Sequence, residues 1–366
     1  MLTARRCATL NPKQSKRETA RNSSLVLARS ALALATALLI VTTFAACKRS
    51  RPNSSFALGE QHISAVNRPN VKLGVSLYAM QNPYFAAQLG SVKREAAALG
   101  IAEVISTDAQ DDIQRQIADV EDLLARGIDL LILDPKDPKA LLRATEAAAQ
   151  ANVPVIIMDS SIDPSATVVT TVQSNNMANG EMVGEWIARR LAGQQIKMGL
   201  ISGTPGNPVG KDRRDGVFLG IIEQQVRDHN QTSFEIVSQG WGNWANDGGL
   251  KAGEDILTAH PDINLMLCEN DAMCLGAIKA IKARALTDKI LIAAAADGQK
   301  EALELIQQGK YGATGSNDPE LTGKTAVDLG VKYLNGARDI PRISFTPAAA
   351  ITQENVQQFY RPNAVF

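Results

Sequence analysis

From residue 70 onward the chain repeats one unit: an apolar run, a loop, and a helical pattern. Apolar runs stand at 71–77, 101–106, 128–133, 153–158, 167–172, 196–202, 234–238, 263–268, 290–296 and 311–315. Nearly every gap between them carries helical spacing, at 86–99, 113–126, 140–149, 177–191, 217–226, 250–259, 272–283 and 299–308. Strands that alternate with helices in this way build parallel sheets covered by helices on both faces. Ten strands are too many for one comfortable open sheet of this type, and 366 residues suffice for two similar lobes. The expected class is therefore α/β, with two doubly wound parallel-sheet lobes. No short period recurs, which excludes a solenoid.

Charge separates the first 46 residues from the rest. They hold seven basic residues (Arg5, Arg6, Lys13, Lys16, Arg17, Arg21, Arg29) and one acidic, Glu18, leaving 31 basic and 37 acidic residues in the remainder, a net charge of −6. A mildly acidic body without a basic run argues against nucleic acid as partner. The basic leader precedes an apolar run, 31–41, that is short for a bilayer span, and then small residues, the order of a secretory signal. Residues 1–46 are read as signal peptide and 47–69 as a tether. Phe44-Ala45-Ala46-Cys47 resembles a bacterial lipoprotein box, departing from it at Phe44, so Cys47 is the expected lipidation site. Cleavage near Ala45 or Ala46 without a lipid is the alternative, giving a soluble exported protein.

Cys268 and Cys274 fall on an expected strand and the helix after it. They are expected to be free thiols, two small residues buried on neighbouring elements. His62, His229 and His260 are the only histidines and lack metal-ligand spacing, so no metal is expected.

The chemistry lies where the strands end, since open α/β sheets place ligands at the carboxyl ends of their strands. After the first strand come Tyr78, Asn82, Tyr84 and Phe85, with Asn82-Pro83 suited to open a helix. Asp159 follows VPVIIM, Asn270 and Asp271 follow LMLCE, Asp297 follows ILIAAAA, and Asn317 follows YGATGS. Arg213 lies after KMGLIS and Trp244 after FEIVSQ. Carboxylate, amide and guanidinium groups match the vicinal hydroxyls of a sugar, and aromatic rings match its C–H faces. No dinucleotide fingerprint, Walker motif or nucleophile elbow is present, so neither a cofactor nor a catalytic residue is expected.

These residues sit in a run of ordered motifs: GVSLYAMQNPYF, LLILDPKD, NVPVIIMDS, QSNNMANG, the R-x-x-G of Arg213 to Gly216, LTAHPDINLMLCENDAMCLGAIKA, ADGQKEAL and GKYGATGSNDPE. In their order and spacing, across 71–345, the chain resembles the periplasmic sugar-binding proteins of the ribose and galactose type, which deliver monosaccharides to ABC importers. The resemblance implies the type I periplasmic binding protein fold, two lobes joined by a three-segment hinge with crossings near Ser174, Asn317 and Thr346. The N-terminal lobe would be 70–174 plus 318–346, and the C-terminal lobe 175–317 plus 347–366. It further implies that Asn82, Tyr84, Phe85 and Asp159 contact the ligand from the first lobe, Arg213, Trp244, Asn270 and Asp297 from the second, and Asn317 from the hinge. Tyr84 and Trp244 would sandwich the ring. Where ribose-binding members commonly have Arg after the Asp of NVPVIIMDS, this chain has Ser160, which favours a hexose or cyclic polyol. No calcium loop is evident at 203–212.

The expected protein is a monomeric, non-enzymatic binder of a monosaccharide or cyclic polyol, at the periplasm or cell surface, touching a membrane only through its lipid. Its expected partner is an ABC permease. A sugar sensor feeding a chemoreceptor remains the alternative, ahead of an exported sugar-modifying enzyme or a sugar-responsive transcription regulator.

Overall fold

The computed structural model of the chain describes residues 63–366. The expected signal segment, Cys47 and most of the expected tether lie outside the described residues. The first sheet contains β1 (Lys72–Leu77), β2 (Glu103–Asp108), β3 (Leu130–Asp134), β4 (Val155–Met158), β5 (Thr170–Ser174) and β11 (Ile343–Thr346). All neighbours are parallel and their order is β11-β5-β4-β3-β1-β2. The second sheet, also parallel, contains β6 (Ile196–Ser202), β7 (Phe234–Trp241), β8 (Leu265–Cys268) and β9 (Leu291–Ala294) in the order β7-β6-β8-β9. The short β10 (Thr314–Gly315) and β12 (Ala350–Ile351) pair antiparallel beside it.

The inner strands of each sheet are buried on both faces, which is why they read as apolar runs rather than alternations. In β3, Leu130 and Ile132 join the core beneath α1 (Pro83–Ala98) and α9 (Pro319–Leu334), while Leu131 and Leu133 join the opposite core beneath α2 (Ile113–Ala125) and α3 (Leu142–Gln150). In β8, Met266 and Cys268 face α6 (Asn246–Ala259), α7 (Asp271–Ala283) and α8 (Lys300–Gln307), while Leu265 and Leu267 face α4 (Asn176–Arg190) and α5 (Pro208–His229). This is the period-two alternation of a strand, applied to a sheet with two cores.

Three passages carry the chain between the sheets, after Ser174, through Asn317, and after Thr346. One buried side chain ties them together. The Asn179 amide donates to Ser174 Oγ (2.7 Å) and to the Ser316 carbonyl (2.6 Å), and its oxygen accepts from the Ala349 N–H (3.0 Å).

The structure departs from the sequence expectations in three places. Cys268 and Cys274 are not free but form a disulfide, with Cα atoms 5.5 Å apart. Asn270 caps α7 immediately after β8, so the first turn of the helix brings Cys274 back over the strand end. The export expected from the leader would allow the bond to persist. Helix α9 and strands β11 and β12 are absent from the expected elements, and α5 begins at Pro208, nine residues before the expected start at 217. Both helices carry a start signal in sequence: Asn207-Pro208 and Asp318-Pro319, in which the first side chain accepts backbone N–H groups and Pro occupies the first helical position.

Candidate functional site

A cleft of about 720 Å³ opens where the carboxyl ends of both sheets meet the second passage. All nine residues expected to touch a ligand line it: Asn82, Tyr84, Phe85, Asp159, Arg213, Trp244, Asn270, Asp297 and Asn317.

Local structure sets most of these positions. Asn82 caps α1 by accepting the Tyr84 N–H at 2.9 Å, which starts the helix after the short loop 78–82 that follows β1 and buries Tyr84 and Phe85 in its first turn. Asp159 follows β4 in a left-handed conformation (φ 66°), with its N–H bonded to the Val172 carbonyl. Asp tolerates that region better than most residues. Asn270 caps α7 through the Met273 N–H (3.0 Å) and donates to the Trp244 carbonyl at 3.3 Å. Trp244 also has positive φ (61°), an outlying conformation for so large a residue. Gly203 makes room for its indole, since a Cβ there would lie 2.0 Å from the ring.

The polar groups form one connected chain. The Tyr84 hydroxyl donates to Asp159 Oδ1 at 2.5 Å, and the Asn317 side-chain oxygen lies 3.0 Å from the same hydroxyl. Asn317 Nδ2 donates to Asp297 Oδ1 (3.1 Å), which also receives Arg213 Nη2 at 2.9 Å. The remaining Arg213 donors reach Asn176 Oδ1 (2.9 Å) and the Glu269 carbonyl (3.0 Å), and its guanidinium stands 5.7 Å from the Trp244 ring centroid. Arg213 and Asp297 are both almost fully buried, so the pair is tolerated only because its donors and acceptors are engaged on several sides.

Burial raises the Asp159 carboxyl, against the Tyr84 hydrogen bond and the Arg213 charge that favour its ionised form; nearby Asp297 raises it further. Burial and then the Asp159 charge hold the Tyr84 phenol well above its ordinary value. Tyr84 is therefore a neutral donor at any physiological pH.

Two acidic residues behind the cleft act as framework. Asp271 Oδ2 accepts from the N–H groups of Asp297, Gly298 and Gln299 (3.1, 2.7 and 2.8 Å), while its Oδ1 accepts from the Tyr311 hydroxyl, so it holds the loop that carries Asp297. Glu269 accepts from the Gly203 N–H and from Arg214, both at 2.8 Å, anchoring the loop under Trp244. The sequence marks Asp271 only as a strand-end residue. Cleft residues that sequence reasoning missed include Gln81, Thr204, Asn207 and Gln299, which lie on the same strand-end loops, and Asn246, which opens α6 after one of them. Their position in or beside those loops is the available signal. Among the described residues no group of three or more His, Cys, Asp or Glu side chains is placed to hold a metal ion.

Comparison with known proteins gives one consistent result. Residues 73–338 match the family model described as periplasmic binding protein domain. The ribose import binding protein of Bacillus subtilis is 34% identical over 272 residues, 74% of this chain and 84% of that protein. An ABC transporter solute binding protein from Mycobacterium smegmatis, solved with bound glycerol, superposes with a TM-score of 0.72 at 30% identity, over 81% of this chain and 98% of that one. A solute binding protein from Bacillus halodurans, solved with bound myo-inositol, does so with a TM-score of 0.71 at 26% identity, over 80% and 97%. Two parallel-sheet units, three passages and a strand-end cleft are thus accompanied by matches over most of the chain: it belongs to the periplasmic binding protein domain family.

Proposed function

We propose that the protein is an exported, non-enzymatic substrate-binding component that captures a monosaccharide or cyclic polyol and hands it to an ABC importer. The observation that carries this reading is the composition of the cleft, where aromatic rings stand beside carboxylates, carboxamides and one guanidinium drawn from both sheets and a passage between them. A hydroxyl-rich ring offers donors and acceptors in the mixture these groups require, and apolar C–H faces for the rings. Ribose, in the name of one relative, and myo-inositol, bound in another, belong to this class.

In this reading the lobes are 70–174 with 318–346 and 175–317 with 347–366, and they close about the passages near Ser174, Asn317 and Thr346. Asn82, Tyr84, Phe85 and Asp159 contact the ligand from one lobe, Arg213, Trp244, Asn270 and Asp297 from the other, and Asn317 from the hinge. Tyr84 and Trp244 bracket the ring. Contacts made by both lobes favour the closed state, which the permease reads. Ser160, where an Arg would supply a charged fork, favours a hexose or cyclic polyol over ribose. Cys47 carries the lipid that holds the protein at the membrane.

A thermal-shift screen of ligand-stripped protein against pentoses, hexoses and inositols tests the reading, because a ligand bound only by the folded state raises the midpoint. One neutral sugar or polyol should give a clear shift. In titration calorimetry, Asp159→Ala and Asp297→Ala should each weaken its binding by roughly 1.5–3 kcal/mol, the usual cost of losing a charged hydrogen-bond acceptor. No shift with any of these compounds would overturn the ligand class.

A further inference from the structure

Residues 359–366 run from one core to the other. Phe359 and Tyr360 pack against the core of the second sheet, whereas Phe366 packs against the core of the first. Along the way Tyr360 donates its hydroxyl to Glu304 on α8 (3.0 Å), and Lys300 at the start of α8 donates to the Pro362 carbonyl. Arg361 then pairs with Asp318 (3.2 Å) and, more loosely, with Glu320 (3.8 Å), the cap and first turn of α9. The segment is thus a fourth connection between the sheets, made by packing and ion pairs instead of a covalent passage.

Its last residue meets the cleft from behind. The Phe366 ring stands edge-on to Tyr84 with centroids 5.2 Å apart, and Phe85 flanks Tyr84 in the same manner at 5.5 Å. Tyr84 therefore has a ring on two sides while its hydroxyl reaches Asp159 and Asn317. Beneath the segment lies a second cavity of about 320 Å³, bordered by Asp297, Gly298, Lys300, Asp318, Phe359 and Phe366. Asp297 borders both this cavity and the cleft, so the segment walls the space behind the ligand residues.

From this geometry we infer that 361–366 is a strap, and that Phe366 is a positioning residue that holds Tyr84, and through it Asp159 and Asn317, in their binding arrangement. The inference rests on the reading of the cleft given above. Because the strap bridges both lobes, it also resists their separation, so it acts on ligand retention rather than on ligand contact.

The test compares the intact protein with Phe366→Ala, with Phe366→Tyr and with a chain shortened to end at Tyr360. Hydrogen exchange of the ligand-free proteins is read over 82–90 and 297–318. Loss of an edge-to-face aromatic pair should speed exchange there about two- to tenfold in Phe366→Ala, and more in the shortened chain, while β3 and β8 keep their protection. Titration with myo-inositol and D-ribose should show a matching about two- to tenfold loss of affinity for whichever compound binds, restored in Phe366→Tyr. Unchanged exchange at 82–90 in Phe366→Ala and in the shortened chain overturns the strap. So does a uniform rise in exchange across both cores, which would mean general destabilisation. If neither compound binds the intact protein, the proposed ligand class is in question, while the exchange data still decide whether the strap holds Tyr84.

Discussion

Asp134 closes β3 with its carboxyl fully buried, and neither oxygen has a partner in hydrogen-bond geometry. Ser160 stands near enough to favour its ionised form, but burial and then the charge of Asp159 outweigh that and hold the carboxyl well above the ordinary aspartate range. An acid raised in the folded state binds its proton more tightly folded than unfolded. Its contribution to stability is full below the unfolded value and is lost as pH rises through the folded one. Asp134→Asn should therefore lessen the fall in unfolding temperature as pH rises above the unfolded aspartate value of about 4, as read by calorimetry. An unchanged fall would assign the titration to Asp159 or Asp271, whose carboxyls burial also raises. At this scale the sequence reveals which residues reach the cleft, because each follows a strand. It does not reveal that Tyr84, Asp159, Asn317, Asp297 and Arg213 bond to one another, since these groups come from positions up to 233 residues apart.

Helices α4 and α5 cross with backbone against backbone. A Cβ on Gly180 would lie 2.2 Å from the Arg213 carbonyl, and one on Gly216 would lie 2.2 Å from the Met177 carbonyl. Gly216→Ala must push the helices apart and carry Arg213, one turn earlier on α5, away from Asp297. The expected cost is about 1–3 kcal/mol in urea unfolding, typical of overpacking, together with weaker ligand binding. Normal stability with normal binding would show that the crossing has slack. Apolar spacing reveals α5 only from residue 217, because its first turns hold the polar run Lys211, Asp212, Arg213 and Arg214 rather than an apolar stripe. Helix α9 escapes the same search although Asp318-Pro319 announces it, and β11 escapes because its four residues, ISFT, are largely exposed at the sheet edge.

Across the whole molecule, Asn179 is where the three passages meet, bonded to Ser174, Ser316 and Ala349. Asn179→Ala leaves the Ala349 N–H without its acceptor, although Ser174 Oγ still donates to the Ser316 carbonyl at 3.0 Å, and should cost about 1–3 kcal/mol in denaturant unfolding. It should also broaden the range of lobe separations seen by small-angle scattering without ligand. A variant as stable and as compact as the parent would remove Asn179 from the hinge. The sequence by itself determined the α/β class, the two sheets and the strand-end residues, because buried parallel strands must be apolar and ligand groups must follow them. Tertiary structure alone decided the Cys268–Cys274 bond, the Asn179 clasp and the contact of Phe366 with Tyr84. Each of these depends on the distance between side chains on different elements, and periodicity along a chain carries no information about that distance.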